Sequence, residues 1–185
     1  MYPSGYYMHH PFEAALEIVQ KEGIQARAVA EVEIGIPRAG YFDRPVIRCG
    51  LEGKFSQQYQ AALAILDQRA EIESYSDRRA LAPDMQEMLK KVKLRVDASI
   101  PSAQDLVYNP VTIRLTNGQS FTAKQDLPKS HWRYPLKREE WLGKFRKNAL
   151  RVLPEPKVER IIQLMDNLEQ LSDVRELTSE LTPEY

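Results

Sequence analysis

The chain has 185 residues, of which 43% are hydrophobic and 28% charged, so it can bury a core of ordinary size. Lysine plus arginine equals aspartate plus glutamate at 26 each, which gives no electrostatic reason to expect a nucleic acid or an anionic membrane as partner. The single cysteine, Cys49, excludes an internal disulfide. With no secretory signal and no apolar span, the sequence predicts a cytoplasmic globular protein.

The first predicted elements are a helix and a strand. Apolar residues recur at helical spacing over residues 12–21, and Gly23 ends that helix. The next stretch alternates apolar and acidic residues, as a half-buried strand does, until Pro37 stops it. The apolar face of this strand is predicted to carry Ala30, Val32, Ile34 and Ile36.

Two helices and a second strand are predicted next, after a loop over residues 37–50. Apolar spacing favours a helix over about residues 54–67, and a shorter helix over residues 84–90 follows Pro83. Apolar and charged residues then alternate over residues 92–96, which is typical of a strand.

An Asn-Gly pair that ends at Gly118 is the clearest turn signal in the sequence. A two-residue turn here would place Phe121 on the wrong face of the hairpin. A three-residue loop instead pairs Ile113 with Phe121 and Val111 with Ala123, and it needs a left-handed residue at its end. Gly118 supplies that conformation, so the sequence predicts the three-residue loop.

From Pro135 onward the pattern predicts helices. Their apolar stripes cover residues 141–149, 158–168 and 174–181. The order of elements predicts an α+β fold, with a small, mostly antiparallel sheet packed with helices and followed by C-terminal helices. We expect an α+β domain over residues 1–153 and a helical extension of the same domain over residues 154–185.

The standard catalytic and ligand-binding motifs are absent from the sequence. It has no glycine-rich phosphate loop, no GxSxG elbow, no HExxH and no Cys/His zinc spacing. The adjacent His9 and His10 cannot both face one metal ion without an unusual backbone. The sequence therefore predicts neither a metal site nor a cofactor.

Three motifs, in order, resemble the MmgE/PrpD family of 2-methylcitrate dehydratase-like lyases, decarboxylases and epimerases. The first motif is Tyr2-Pro3-Ser4-Gly5-Tyr6-Tyr7-Met8-His9, followed by Ala14-Ala15-Leu16. The second is Lys54-Phe55-Ser56-Gln57-Gln58-Tyr59, which continues to Leu66-Asp67. The third is the strand and turn from Val111 to Gly118 with the helix from Pro135 to Phe145. Together they match the C-terminal small domain of the family.

The resemblance implies a lyase of propionate metabolism that works without a metal or an organic cofactor. Its substrate would be a small carboxylic acid, held by cationic groups while an acid and a base move protons. By position, Tyr59 is the expected acid or hydrogen-bond donor and His9 a catalytic residue of the pocket. Lys54 and Ser4 are expected to bind substrate. For Lys54 a solvent-exposed side chain, and for His9 a role in anchoring the following helix, remain structural alternatives.

The sequence departs from the family pattern in ways that leave other functions open. Family members carry a large helical domain first, which this sequence lacks, and the lysine before Tyr2 has no counterpart here. Gly5 stands where members often have cysteine, or histidine in the decarboxylase branch. We expect the chain to be inactive without a helical domain, supplied by another chain or through self-association. The alternatives are a non-catalytic remnant or interaction module, or part of a decarboxylase or epimerase.

Overall fold

A computed structural model of the chain describes residues 1–38, 40, 42–101, 108–129 and 131–182. The chain divides into two compact units, one of Tyr2–Tyr134 and one that begins at Pro135. The predicted domain boundary between residues 153 and 154 stays a prediction, because compactness alone does not show which part folds independently.

The described residues form helices, short strands and 3-10 turns, and the helices and strands do not strictly alternate. The helices are α1 His9–Glu22, α2 Gly50–Gly53, α3 Gln57–Leu66, α4 Asp77–Ala80, α5 Pro83–Lys91, α6 Arg138–Ala149, α7 Glu155–Asp166 and α8 Arg175–Glu180. The strands are β1 Val29–Ile36, β2 Val92–Val96, β3 Val111–Leu115 and β4 Ser120–Ala123. Short 3-10 turns occur at Tyr6–Met8, Ala26–Ala28, Ile72–Tyr75 and Leu168–Gln170.

In the described part of the chain, the four strands form one sheet in the order β2-β1-β3-β4. The central strand β1 pairs in parallel with β2, where Val32 faces Val92. It pairs antiparallel with β3, where Val32 faces Ile113, and β3 pairs antiparallel with β4. Two of the three pairings are antiparallel, which confirms the predicted α+β fold with its mostly antiparallel sheet.

The hairpin between β3 and β4 has the register that the sequence predicts. Ile113 pairs with Phe121 and Val111 with Ala123. Gly118 has a φ of 87°, in the left-handed region, and its N–H donates to the Leu115 carbonyl at 3.0 Å. The apolar residues of both strands lie on one face of the hairpin only if the loop has three residues, so the alternation predicted the turn type correctly.

The prediction of which β1 side chains are buried is wrong at Ala30, the first residue of the predicted apolar face. Val32, Ile34 and Ile36 are buried as predicted, but Ala30 is exposed and its neighbour Val29 is buried instead. The register between β1 and β3 shifts between Val29 and Glu31. Such an irregularity breaks the alternation of faces, because an extra residue reverses which side the next side chain points to.

The start of α3 depends on one side-chain cap. The helix begins at Gln57 rather than at the predicted residue 54, because the Ser56 Oγ accepts the Tyr59 N–H at 3.1 Å and caps the first turn. The short helices α2 and α4 were not predicted, since four residues give too little apolar periodicity to detect.

The core of the first unit lies where α1 and α3 pack on each other and on the sheet. Its largest fully buried side chains include Phe12, Ile34, Leu63, Met85 and Ile113. Other side chains of the sheet are charged and paired: Glu31 binds Lys93 and Arg114, and Glu33 binds Arg95 at 2.8 Å. These partly exposed pairs contribute little stability each, so burial of the apolar core dominates.

The second unit has a core of its own, made by α6, α7 and α8. Its buried side chains are Leu142, Leu153, Val158, Ile161, Ile162, Leu164 and Leu177. Arg146 on α6 makes two hydrogen bonds to Glu159 on α7, at 2.6 and 2.8 Å. No helix among the described residues of either unit is both long and apolar enough to cross a bilayer.

Candidate active site

His9 lies at the first position of α1, deep in the first unit. It is 5% exposed, and the Tyr2 ring meets its imidazole edge-on with 5.1 Å between centroids. Neither ring nitrogen makes a well-formed hydrogen bond. Burial lowers the pKa of His9 to about 4, so the imidazole is neutral at pH 7. A buried imidazole whose nitrogens lack well-formed hydrogen bonds is costly for the fold alone, and this cost makes it a candidate for contact with a ligand.

Ser4 and Lys54 are brought together by the backbone of the N-terminal segment. The Gly5 N–H donates to the Lys54 carbonyl at 3.0 Å. The Ser4 Oγ is buried without a well-formed hydrogen bond, close to the hydroxyl of Tyr75. The Lys54 Nζ lies 5.8 Å from the centroid of the same Tyr75 ring. Both predicted substrate-binding residues thus lie beside one tyrosine.

Tyr75 is a member of this cluster that the sequence reasoning missed. Its hydroxyl donates to Gln60 Oε1 at 2.9 Å, and the Gln60 Nε2 donates to the Gly53 carbonyl at 2.9 Å. Burial raises the pKa of Tyr75 above its usual range, so the hydroxyl keeps its proton. No motif marks Tyr75, because it reaches the cluster from a 3-10 turn that follows α3.

Tyr59 is less exposed than the other predicted site residues. It is fully buried, its hydroxyl donates to the Ser74 carbonyl at 2.5 Å, and its ring lies 5.9 Å from the Tyr75 ring. Burial raises the pKa of Tyr59 far above its usual range, so the hydroxyl of Tyr59 keeps its proton at neutral pH. Its catalytic role stays a prediction, and that role requires the hydrogen bond to Ser74 to open.

Replacing Tyr59 with phenylalanine is expected to destabilise the chain by about 1–3 kcal/mol. The change removes the hydroxyl and leaves the buried Ser74 carbonyl without its donor, while the ring packing is kept. Urea unfolding followed by circular dichroism measures this cost. An unchanged midpoint would contradict it and would show that the Ser74 bond is not formed in solution.

A wide cavity opens beside α1, and none of the four predicted site residues lines it. It measures about 520 Å³, and Tyr2, Glu13, Lys129 and Tyr134 are among its lining residues. Both oxygens of Glu13 accept the Lys129 N–H, at 3.0 and 3.1 Å, and burial raises the pKa of this carboxyl. Glu13 was not predicted, because a single glutamate on a helix carries no motif.

The arrangement at Ser4, His9 and Lys54 suits recognition of a carboxylate. A neutral imidazole and a hydroxyl donate hydrogen bonds, and a partly buried ammonium supplies charge. Within the described ranges, no group of three or more histidine, cysteine, aspartate or glutamate side chains converges as a metal-binding set.

Comparison with known proteins gives a consistent match. The family model described as MmgE/PrpD C-terminal domain matches residues 2–170. The cis-aconitate decarboxylase of Mus musculus is 34% identical over 150 residues, which make up 81% of this chain and 31% of that protein. The cis-aconitate decarboxylase of Homo sapiens is 31% identical over 151 residues, or 82% of this chain and 31% of that protein. The chain therefore spans less than one third of the length of these curated relatives.

Proposed function

The chain belongs to the MmgE/PrpD family, whose C-terminal domain it matches, and on that premise we propose that it forms one wall of a lyase active site for a small polycarboxylic acid. The observation that carries this proposal is that the buried polar groups of Ser4 and His9, in the segment that carries the first family motif, make no well-formed hydrogen bond. Unpaired buried groups are expected where a ligand completes the hydrogen bonding.

The similarity to two decarboxylases favours decarboxylation over dehydration as the reaction of the complete protein. In a decarboxylation, the bond between the carboxylate carbon and its neighbour breaks and carbon dioxide leaves. The electron pair left on the neighbouring carbon then takes a proton. Lys54 and Ser4 would hold the remaining carboxylates, and Tyr59 would supply a hydrogen bond or the proton.

His9 suits the movement of that proton once a substrate is bound. With a pKa near 4 it is neutral in the free chain, but a carboxylate brought beside it would raise that pKa by charge attraction. The imidazole would then exchange a proton close to neutral pH, as an acid or base catalyst must. A helical domain would supply the remaining walls of the site.

The test is a titration of the isotope-labelled chain with cis-aconitate, followed by NMR. We expect chemical-shift changes at Ser4, His9 and Lys54, with weak affinity because one wall alone contacts the ligand. The neutral trimethyl ester of cis-aconitate is the control and should leave those signals in place. Equal shifts with the ester, or none with the acid, would overturn the proposed function.

Activity provides a second test of the same proposal. We expect no release of carbon dioxide from cis-aconitate, and no dehydration of 2-methylcitrate, by the chain alone. Turnover is expected after addition of a helical domain of the family, and Tyr59→Phe should then reduce it. Turnover by the chain alone would show that the site needs no second domain.

A second candidate function, a non-catalytic binding module, is favoured by Gly5. By the resemblance, family members often carry a cysteine at this position, or a histidine in the decarboxylase branch, whereas glycine offers no functional group. The binding titration does not separate this candidate from the enzyme, whereas the turnover experiment does.

Introducing histidine at Gly5 is expected to raise turnover by about tenfold or more in the presence of the helical domain. A side chain fits here, since an added Cβ would lie 3.5 Å from Phe55 Cδ1 and 3.6 Å from the Lys54 carbonyl oxygen. The φ of Gly5 is −58°, which any residue adopts. Carbon dioxide release by Gly5→His, with Gly5→Ala as the control, measures the effect. Equal rates for the two variants would contradict it.

A further inference from the structure

The loop of residues 42–44, which we call the clamp loop, is fixed onto the start of α3 by two buried side chains. The Ser56 Oγ donates to the Arg44 carbonyl at 2.7 Å, and Gln58 Oε1 accepts the Arg44 N–H at 3.2 Å. The Gln58 Nε2 also donates to Asp43 Oδ1 at 2.6 Å. Ser56 and Gln58 are 0% and 1% exposed, so the backbone on both sides of the Arg44 Cα is held rigidly.

The clamp loop is also strained, at Phe42. This residue has a φ of 66°, in the left-handed region that side chains other than glycine rarely adopt. Its carbonyl accepts the Gln57 N–H at 3.4 Å, and its ring lies 5.6 Å from the Tyr7 ring. Strain of this kind persists only where the surroundings enforce it, and it concentrates at functional sites.

The contacts of the clamp loop join it to both segments of the candidate active site. Tyr7 belongs to the segment that carries Ser4 and His9, and Gln57 follows Lys54 at the first position of α3. Gln57 is 5% exposed, and its Oε1 is buried without a hydrogen-bond partner. An amide oxygen accepts hydrogen bonds, so a ligand group that carries a donor, such as a hydroxyl, would complete its hydrogen bonding, whereas an ionised carboxylate would not.

The side chain of Arg44 is exposed, and its guanidinium makes no hydrogen bond or ion pair with any described residue. The fold thus holds the backbone of Arg44 in place beside a strained residue, but the positive charge of its side chain forms no ion pair with a described residue. We propose that Arg44 binds a carboxylate of the substrate and so helps to select a polycarboxylic acid. This inference rests on the proposed function, to which it adds a residue that neither the sequence motifs nor the comparisons assign. A planar guanidinium can bind a carboxylate through two parallel hydrogen bonds, which gives selectivity for that group.

The test measures the affinity of the chain for cis-aconitate by NMR titration in Arg44→Ala, Arg44→Lys and Arg48→Ala. Arg48 is the matched control, an exposed arginine a few residues further along the chain. We expect Arg44→Ala to weaken binding by about tenfold, Arg44→Lys to weaken it less, and Arg48→Ala to change it by less than about twofold. Since the Arg44 side chain has no partner among the described residues, all three variants should fold with unchanged thermal midpoints.

The outcomes separate the role of Arg44 from the proposed function. Binding by the unchanged chain that Arg44→Ala does not weaken would overturn the role of Arg44 and leave the proposed function in place. Equal weakening by Arg44→Ala and Arg48→Ala would overturn it too, because the effect would then be one of general charge. No binding by the unchanged chain would overturn the proposed function and the role of Arg44 with it.

Discussion

Gly50→Ala is expected to destabilise the first unit by about 3 kcal/mol or more, the largest effect of any single substitution considered. A Cβ added at Gly50 would lie 1.9 Å from the Tyr75 carbonyl oxygen and 2.5 Å from its carbon. The obstacle is backbone, so no change of side-chain rotamer can relieve it. The Gly50 N–H also donates to Asp77 Oδ1 at 2.8 Å, which prevents α2 from shifting freely.

The matched control is Gly5→Ala, at a glycine of the same unit where an added Cβ makes only ordinary contacts. This control is expected to be neutral or to stabilise by up to about 1 kcal/mol, through the lower entropy of the unfolded chain. Urea unfolding of both variants measures the difference. Equal midpoints would show that α2 and the Tyr75 turn do not pack in solution as they do in the structure. Because Tyr75 lies beside Ser4 and Lys54, the proposed function adds the expectation that Gly50→Ala weakens binding of cis-aconitate.

Acidification from pH 7 to pH 4 is expected to remove about 3 kcal/mol of stability through His9 alone. The pKa of His9 falls from 6.5 to about 4 on folding, chiefly because the ring is buried. Above pH 6.5 the imidazole is neutral in both states, and its contribution to stability is complete. Between pH 6.5 and 4 the unfolded chain binds a proton that the folded chain does not, so stability falls as the pH falls. Burial lowers the pKa of His10 as well, which adds a change of the same sign.

Glu13 changes the pH dependence of stability in the opposite direction to His9, and it provides the control. Burial raises the pKa of its carboxyl above 4.5, so between 4.5 and the raised value the folded chain binds the additional proton. Acidification through that range therefore stabilises the fold at this residue. Unfolding free energies measured from pH 4 to pH 7.5 should show a shallower acid loss in His9→Gln and a steeper one in Glu13→Gln. Parallel pH profiles for the unchanged chain and both variants would contradict the burial of these groups.

Local patterns in the sequence predicted the parts of the fold that depend on alternation. The hairpin register followed from the parity of apolar residues on both sides of Gly118, and the structure has that register. The exposure of Ala30 did not follow, because the shift between Val29 and Glu31 depends on the partner strand β3. No pattern within β1 itself records the partner that causes the irregularity.

The candidate site was predictable in its motif residues and not in its supporting contacts. Ser4, His9 and Lys54 lie in two segments that resemble family motifs, and the structure places Ser4 and Lys54 around one ring. Tyr75 reaches this region from a 3-10 turn, and the backbone of Arg44 is held against the start of α3 from a loop. Their positions depend on hydrogen bonds to Gln60, Gln58 and Ser56 that only the folded chain brings together.

The order of the strands has a consequence for how the chain folds during synthesis. The strand β1 is synthesised before both of its neighbours, which come from far along the chain, since Val32 pairs with Val92 on one side and with Ile113 on the other. Until those segments leave the ribosome, both edges of an apolar strand stay unpaired. Contacts between distant residues slow folding, and an unpaired strand is prone to aggregation. Truncation before β3 should therefore give insoluble protein, and nascent chains of that length should depend on chaperones that shield apolar segments.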